Sequence, residues 1–588
     1  MKSNTLSEIS NAEAPSEEHS GKLVDEHLVN QSGWPAFIRV HLRGILLLLC
    51  AAVIVVLWLL QLTPYLNYAD DSGRYMILGE SLARNGELRL INDIRQPFDT
   101  LYPPLFSALI AFWIRVTGQD AMRVVLLVKL TQLLLLLATL PMLLIALTWA
   151  KLSLRYIVAC MLLYAFCPAL IGYANEVMSE MPMLLLCFAS VLCAERSAMA
   201  TEKENIWKAN KENEETENEV REKYFFRLLA LFLAAGAFLV RSSGITLLAM
   251  LVMWFWGKFG WKWGLVAIFV SLVVVGGWIR RNSHIVKTHP EIHYSSYADQ
   301  FTLRDPMTPG AGRIPLNARG LASRLKSGIP IYIGLIPRTM LHLMAPQGSP
   351  WFIVFYVLAI SSTLLMLIGF VETWRRGLTL WSGFAALFWY MTALWPWHSA
   401  RFLVPILPFM FIFMTVGAAW AANALKSSLQ SGIGKTVVDA AQIIGVGLLL
   451  TYFGYVNYRV IHQERKPTEL GYTFGRSKEE AGFYLACDWL RHHSDPKSVV
   501  MGKPQYLLHL YAGNFTSQLE PTDNAGNLEK AHMLPEHVRY LLEDSWRWGI
   551  MPSHEIVDTY LNIYSAEWEL AWSDPNGSGT RIWKRKER

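Results

Sequence analysis

The chain has 588 residues, 53% hydrophobic, 12% aromatic and only 17% charged, where a soluble domain carries roughly a quarter charged residues. Its apolar residues gather in blocks close to the ~20 that a hydrocarbon slab of about 30 Å asks of a helix, which predicts an integral membrane protein and excludes disordered, collagenous and disulfide-scaffold classes. The net charge of +6 sits mainly in short loops without interleaved aromatics, so it reads as topology information and not as a nucleic-acid surface.

Residues 1–38 are rich in Ser, Glu, Asn and Lys and predict a solvated, disordered cytoplasmic tail. The first apolar block starts near Ile45, behind this tail and behind Arg39, His41 and Arg43, so it is expected to stay as a helix that begins in the cytoplasm rather than be cleaved as a signal peptide. The stretch 63–104 is then outside. The run from Leu105 to Val116 is too short to span and predicts an interfacial or re-entrant helix on that outer face.

With that run counted out, spans over 124–149, 156–173, 182–198, 224–240, 244–257 and 264–280 bring Lys151, Arg155, Lys258, Lys262 and the charged loop 200–223 to one side. That loop predicts a solvated helix or linker. A polar outer loop over 281–330 leads to a short apolar segment, 331–344, broken by Pro337, Arg338 and His342 and expected at the interface. Spans over 350–371, one rising to Trp397, 402–424 and 437–457 complete about eleven. Residues 459–588 predict a soluble extracytoplasmic domain of α/β type, with a helix over 479–492, a strand over 498–501 and a hairpin of 568–572 with 580–584 across Asp574-Pro-Asn-Gly. Of the six cysteines only Cys487 lies in this region, so no disulfide framework exists there. The fold class expected is thus an α-helical polytopic membrane protein over residues 39–458 with interfacial helices in the first outer loop, plus a small α/β domain.

Chemistry is suggested first at Asp70-Asp71-Ser72-Gly73-Arg74-Tyr75, a carboxylate pair at the mouth of the first span. A carboxylate at a membrane boundary suits general-base work on a membrane-delivered substrate; an Asp before a helical run also caps free backbone N–H groups. Asp71-x-x-Arg74-Tyr75, the short helix ending at Asn85-Gly86-Glu87, and Tyr102-Pro103-Pro104-Leu105 resemble the first outer loop of the GT-C glycosyltransferases, the superfamily of protein O-mannosyltransferases and lipid A aminoarabinose transferases. The resemblance implies a glycosyltransferase whose donor is a sugar on a polyprenyl phosphate. It places the catalytic base on Asp71, with Asp70, Arg74 and Tyr75 beside it. It implies a second acidic site residue at Glu180, within Asn175-Glu176-Val177-Met178-Ser179-Glu180-Met181-Pro182, and a late-helix arginine at Arg401. Where the aminoarabinose transferases carry a Glu-Lys pair before the prolines, this chain has Leu101 and Tyr102, and loop 281–330 is too short for the inserted domain of the O-mannosyltransferases. The superfamily is carried over and neither named activity is.

The donor phosphate is expected to meet Arg74, Tyr75, Tyr102 and Arg401, with Arg241, Arg280 and Arg281 near the same level, either as phosphate ligands or as snorkelling anchors. His293, Tyr294 and Glu176 are candidates on the acceptor side. The cluster His284, His289-Pro-Glu291-Ile-His293 does not have the spacing of a zinc motif; no resident metal is expected there, although a divalent ion stays open. Partners expected are the lipid-linked sugar donor, membrane lipid and a glycan, lipid or protein acceptor, and no nucleic acid. A transporter or flippase for a lipid-linked glycan would use the same outer arginines and need no base, and an assembly subunit would need neither.

Overall fold

The computed structural model describes residues 36–63, 65–66, 70–209, 217–289, 297–302, 317–342, 352–429, 431–464, 478–518, 538–544, 547–548 and 551–586. Helix α1 (Ala36–Gln61) opens them, and a division into two compact units falls inside it, after Leu49. Among the described residues the first unit is a helical segment that exposes Leu42, Ile45, Leu48 and Leu49, the all-round apolar surface of a membrane span.

The second unit, Cys50–Arg588, holds the rest. Two helices without spanning length come first: amphipathic α2 (Asp70–Asn85), stopped at Gly86, whose φ of 73° is costless only for glycine, and α3 (Pro104–Thr117). The 14 residues of α3 reach about 21 Å, short of the hydrocarbon thickness, and Pro104 starts the helix where its missing N–H is an orphan anyway. There follow α4 (Val125–Trp149), α5 (Leu154–Phe166), α6 (Pro168–Ala174), α7 (Glu180–Ala209), α8 (Glu217–Val240), α9 (Ile245–Phe259), α10 (Trp261–Thr288), α11 (Tyr297–Thr302), α12 (Ala318–Leu341), α13 (Phe352–Arg375), α14 (Thr379–Leu394), α15 (Leu407–Ser428) and α16 (Gly432–Glu464).

Nine helices among the described residues are long and apolar enough to cross a membrane, and ten when α5 and α6, bent by 46° where Pro168 interrupts the hydrogen-bond ladder, count as one. The chain is an integral membrane protein, and each expected span coincides with a helix. The eleventh, the one rising to Trp397, is α14; its 16 residues fall below the ~20 of a full span, so a count by length stops at ten. The segment expected as 331–344 is longer: α12 starts at Ala318, where the Asn317 side chain accepts the Gly320 N–H at 2.8 Å, and runs 24 residues through Pro330 and Pro337. Its polar first half hides from a hydropathy reading because an amphipathic helix has no apolar run.

Small residues bring the spans together. Gly369 of α13 and Gly417 of α15 face each other so closely that a Cβ on Gly417 would lie 1.8 Å from the Leu365 carbonyl oxygen, and one on Gly369 1.7 Å from that of Phe413, the approach that membrane helices use in place of a hydrophobic drive. At one end of the bundle Asp439 of α16 pairs with Arg155 and with Lys426, the latter at 2.5 Å. Towards the other end Asn457 accepts from Gln61 at 2.8 Å and donates to the Phe166 carbonyl at 3.0 Å. Lys129 of α4 is fully buried, its ammonium donating to the Thr63 carbonyl at 2.8 Å, the Thr63 hydroxyl at 3.0 Å and the Tyr65 carbonyl at 2.6 Å.

The C-terminal part is the expected α/β domain. α17 (Lys478–His493), β1 (Val499–Gly502), α18 (Gln505–Ala512), β2 (Phe515–Gln518), β3 (Val538–Glu543), β4 (Arg547–Trp548), β5 (Met551–Pro552), α19 (Ser553–Tyr564), β6 (Trp568–Ser573) and β7 (Arg581–Arg585) follow in order. The main sheet runs β2-β1-β3-β7-β6, with β1 parallel to both neighbours and β7 antiparallel to β3 and to β6. Val499, Met501, Val538, Leu541, Val557 and Trp568 form its core.

The domain sits on α2 and on the chain leading to it. The Leu66 N–H donates to the Tyr511 hydroxyl at 3.2 Å and the Tyr484 hydroxyl donates to the Leu66 carbonyl at 3.3 Å. The Thr516 N–H donates to the Asn92 carbonyl at 2.7 Å, and α18 passes so near α2 that a Cβ on Gly73 would lie 2.8 Å from that of Tyr506.

Candidate active site

Asp71 lies in the first turn of α2, and two distant segments meet it. Its Oδ1 accepts from the Tyr102 hydroxyl at 2.6 Å, and its Oδ2 takes the Arg401 guanidinium at 2.6 Å. Tyr102 immediately precedes the prolines that open α3, and Arg401 stands in the 3₁₀ turn Ala400–Ile406 that leads into α15. Side-chain exposures of 23% and 24% leave this ion pair reachable from one side.

A second pair lies in the same region. Glu180, at the start of α7, accepts from Arg241 at 2.5 Å, and Arg241 also reaches the Ser179 hydroxyl at 3.3 Å. That hydroxyl receives the Tyr75 phenol at 2.9 Å. Both arginines rest on the Phe402 ring, 5.0 Å from Arg241 and 5.1 Å from Arg401, so one aromatic ring serves two like charges. Tyr75 is buried, with the rings of Tyr102 and Phe106 each 4.8 Å away at steep angles.

Burial pushes the Asp71 carboxyl up, but the Arg401 charge, the Tyr102 hydroxyl and Arg241 outweigh it and hold the group down to about 2. It is a carboxylate at any physiological pH, able to accept a proton once its cation is drawn elsewhere. Burial and the neighbouring Asp71 charge push Tyr102 well above its ordinary value, so the phenol keeps its proton and is the donor in this bond.

Arg74 takes another direction. It shares the helix face of Asp71 three residues on, yet its Nη2 and Nε go to Asp99 at 2.8 and 3.3 Å, and its guanidinium stacks 4.6 Å over Tyr102 and 5.5 Å from Tyr506. Arg281 donates to the Asp99 carbonyl at 2.9 Å, while Arg280 is exposed. Glu176 is half-buried in the turn before Glu180, near Tyr173.

The Asp70 side chain, His293 and Tyr294 lie outside the described residues. Among the described residues no group of three or more His, Cys, Asp or Glu is placed to hold a metal. Asp71 and Glu180 are each taken by a guanidinium. The sequence reading missed Asp99, whose only signal is an acid inside the half-apolar run Pro97-Phe98-Asp99-Thr100-Leu101. It also missed Tyr506, which arrives from the C-terminal domain with no local signal.

No family model and no curated protein matches the chain. Solved structures do. The oligosaccharyltransferase AglB of Archaeoglobus fulgidus, in complex with an inhibitory peptide and dolichol-phosphate, superposes with a TM-score of 0.52 at 11% identity, over 86% of this chain and 70% of that one. The same enzyme tethered to an acceptor peptide gives 0.52 at 12%, over 94% and 75%. ArnT of Cupriavidus metallidurans bound to undecaprenyl phosphate gives 0.51 at 14%, over 91% of this chain and 97% of ArnT. At such identities the likeness carries architecture alone: the chain has the GT-C fold that its first loop resembles.

Proposed function

We propose that this chain is a glycosyltransferase that moves a sugar from a polyprenyl-phosphate-linked donor to an acceptor hydroxyl of a glycan, lipid or protein. The reaction takes place on the non-cytoplasmic face of a bacterial inner membrane, with the C-terminal domain on that face. The observation that carries the reading is the Asp71–Arg401 pair, a carboxylate and a guanidinium from distant segments, part open and flanked by a second such pair, Glu180–Arg241. Solved structures of the same fold hold dolichol-phosphate or undecaprenyl phosphate, which supports a lipid-linked phosphate as the ligand.

In this reading the donor phosphate takes over Arg401 and Arg241, since a phosphate offers a guanidinium the same two-pronged match as a carboxylate. Asp71, relieved of its partner in a site where burial opposes the charged form, becomes a stronger base. The acceptor oxygen attacks the anomeric carbon as its proton passes to Asp71. The bond from that carbon to the phosphate oxygen breaks, and polyprenyl phosphate leaves with its extra charge on the arginines. One displacement inverts the anomer. Glu180 keeps Arg241 aimed, and Tyr102 steadies Asp71. A flippase would hold the phosphate in the same way, but its charges are expected near the midplane in broken helices, whereas these stand at the loop end of the bundle.

The test is purified chain in proteoliposomes given a polyprenyl-phosphate sugar labelled in the sugar, with an acceptor-bearing lipid extract. Transfer of label and equal release of polyprenyl phosphate are expected, and Asp71→Asn is expected to lose on the order of a hundredfold or more, the share of general-base catalysis, with fold intact. Movement of intact donor across the bilayer without release would replace the enzyme by a flippase, and near-normal turnover of Asp71→Asn would remove the base.

A further inference from the structure

We propose that Asp99 is a positioning residue, which together with Arg74 fixes the Tyr102 hydroxyl on Asp71. This rests on the reading of Asp71 as the base. The Asp99 side chain is wholly buried. One of its oxygens takes Arg74 Nη2 at 2.8 Å and also the Leu101 N–H at 2.8 Å, and the other takes Arg74 Nε at 3.3 Å. The top of α10 grips the same few residues from the far side: Arg281 donates to the Asp99 carbonyl at 2.9 Å and Asn282 to the Thr100 carbonyl at 2.7 Å.

Tyr102 is the next residue but one after Thr100, and Pro103 restricts its backbone to extended conformations. Arg74 covers its ring at 4.6 Å and the Tyr75 ring meets it at 4.8 Å, which leaves the phenol directed at Asp71. A buried ion pair adds little net stability and a great deal of geometry, and here the geometry ends on the neutral hydrogen bond from Tyr102 to the base. Arg74, expected as a phosphate ligand, has both Nη2 and Nε on Asp99. Asp71 and Arg74, on one face of α2, act as base and clamp.

The groups that face Asp71 are Arg401 from the turn before α15, Tyr102 from the segment before α3 and Arg241 from the turn between α8 and α9, with the phenols of Tyr75 and Tyr297 nearby. Of these only Tyr102 is held by Asp99. Loss of its bond removes support for the charged carboxyl, so protonation of Asp71 moves to higher pH in Tyr102→Phe and, if the clamp works as stated, equally in Asp99→Asn.

The experiment is a double-mutant cycle in the detergent-purified chain, with two readouts. In the transfer assay Tyr102→Phe and Asp99→Asn are each expected to lower kcat about tenfold, the range of one hydrogen bond to a charged group, with the donor KM unchanged. The double variant is expected to be no worse than Tyr102→Phe, because the two changes break the same contact. Multiplied losses overturn the proposal, as does a raised donor KM in Asp99→Asn.

The second readout needs no turnover. Carbodiimide modification of Asp71, followed by peptide mass against pH, reports its protonation, and the midpoint is expected to rise by the same amount in both variants. Asn282→Ala, which keeps every charge in place, is expected to shift it in the same direction, so a failure of Asp99→Asn to fold leaves the test intact. An unmoved midpoint in the Asn282 variant overturns the clamp. Shifted midpoints in the variants, together with a wild-type chain that transfers nothing, would refute the glycosyltransferase reading and leave the clamp standing.

Discussion

Replacing Arg401 by Gln probes both halves of the proposed chemistry at once. Asp71 is held at about 2 against an ordinary 3.8, close to two pH units, and at roughly 1.4 kcal/mol per unit the surroundings favour the carboxylate by about 2–3 kcal/mol. Because the shift is downward, the base is ionised and the free-enzyme rate flat at all pH values above about 4. Without Arg401, burial faces only Tyr102 and Arg241, and the value rises. The acid limb of the kcat/KM profile is then expected at higher pH than in the unaltered chain. The donor KM is expected to rise about tenfold or more, since a charge-assisted bond to the phosphate is worth roughly 1.5–3 kcal/mol. Arg401→Lys separates the two effects: it retains a charge near Asp71, so the limb stays low, but loses the two-pronged fit, so the donor KM still rises. Initial rates against donor concentration at five or six pH values decide. An unaltered donor curve and pH profile, accompanied by a lower melting temperature, would leave Arg401 as an anchor of the 400–406 turn and refute the argument.

The helix contact at Gly417 predicts that Gly417→Ala lowers stability by about 1–3 kcal/mol through overpacking against Leu365. Gly445→Ala on α16, where a Cβ meets nothing within 4 Å, is expected to be neutral or to gain about 0.5–1 kcal/mol; thermal melts of the two in one detergent make the comparison. Topology is open to single cysteines at the exposed Asn85, His492, Lys151 and Ser427, against native cysteines that are buried or half-buried. The first two are expected to react with an impermeant thiol reagent on intact cells and the last two only after permeabilisation. Labelling of Lys151→Cys in intact cells would reverse the orientation.

What the sequence disclosed follows the physics of each signal. The short run after Tyr102-Pro103-Pro104 was legible as non-spanning because length alone decides it, and the 568–585 hairpin because alternation flanks a turn sequence. Asp71, Glu180 and Arg401 were picked out one at a time. That Asp71 pairs with Arg401 and Glu180 with Arg241 was not legible, because ion pairs between positions far apart in the chain follow from helix packing. The partner of Arg74 was hidden for the same reason: only the folded chain shows Asp99 taking it. The first half of α12 was lost because hydropathy is blind to a helix whose faces differ.

Lys129 bears on how the protein is made. An ammonium costs most at a helix centre, roughly 2.5–3.5 kcal/mol; Lys129 stands in the second turn of α4, where three oxygens of Thr63 and Tyr65 surround it. Those acceptors precede it in the chain by more than sixty residues, so they leave the ribosome first and stand at the end of α1 when α4 arrives. The lysine thus ties α4 to the end of α1: Thr63 and Tyr65 are fastened as the second span enters the bilayer.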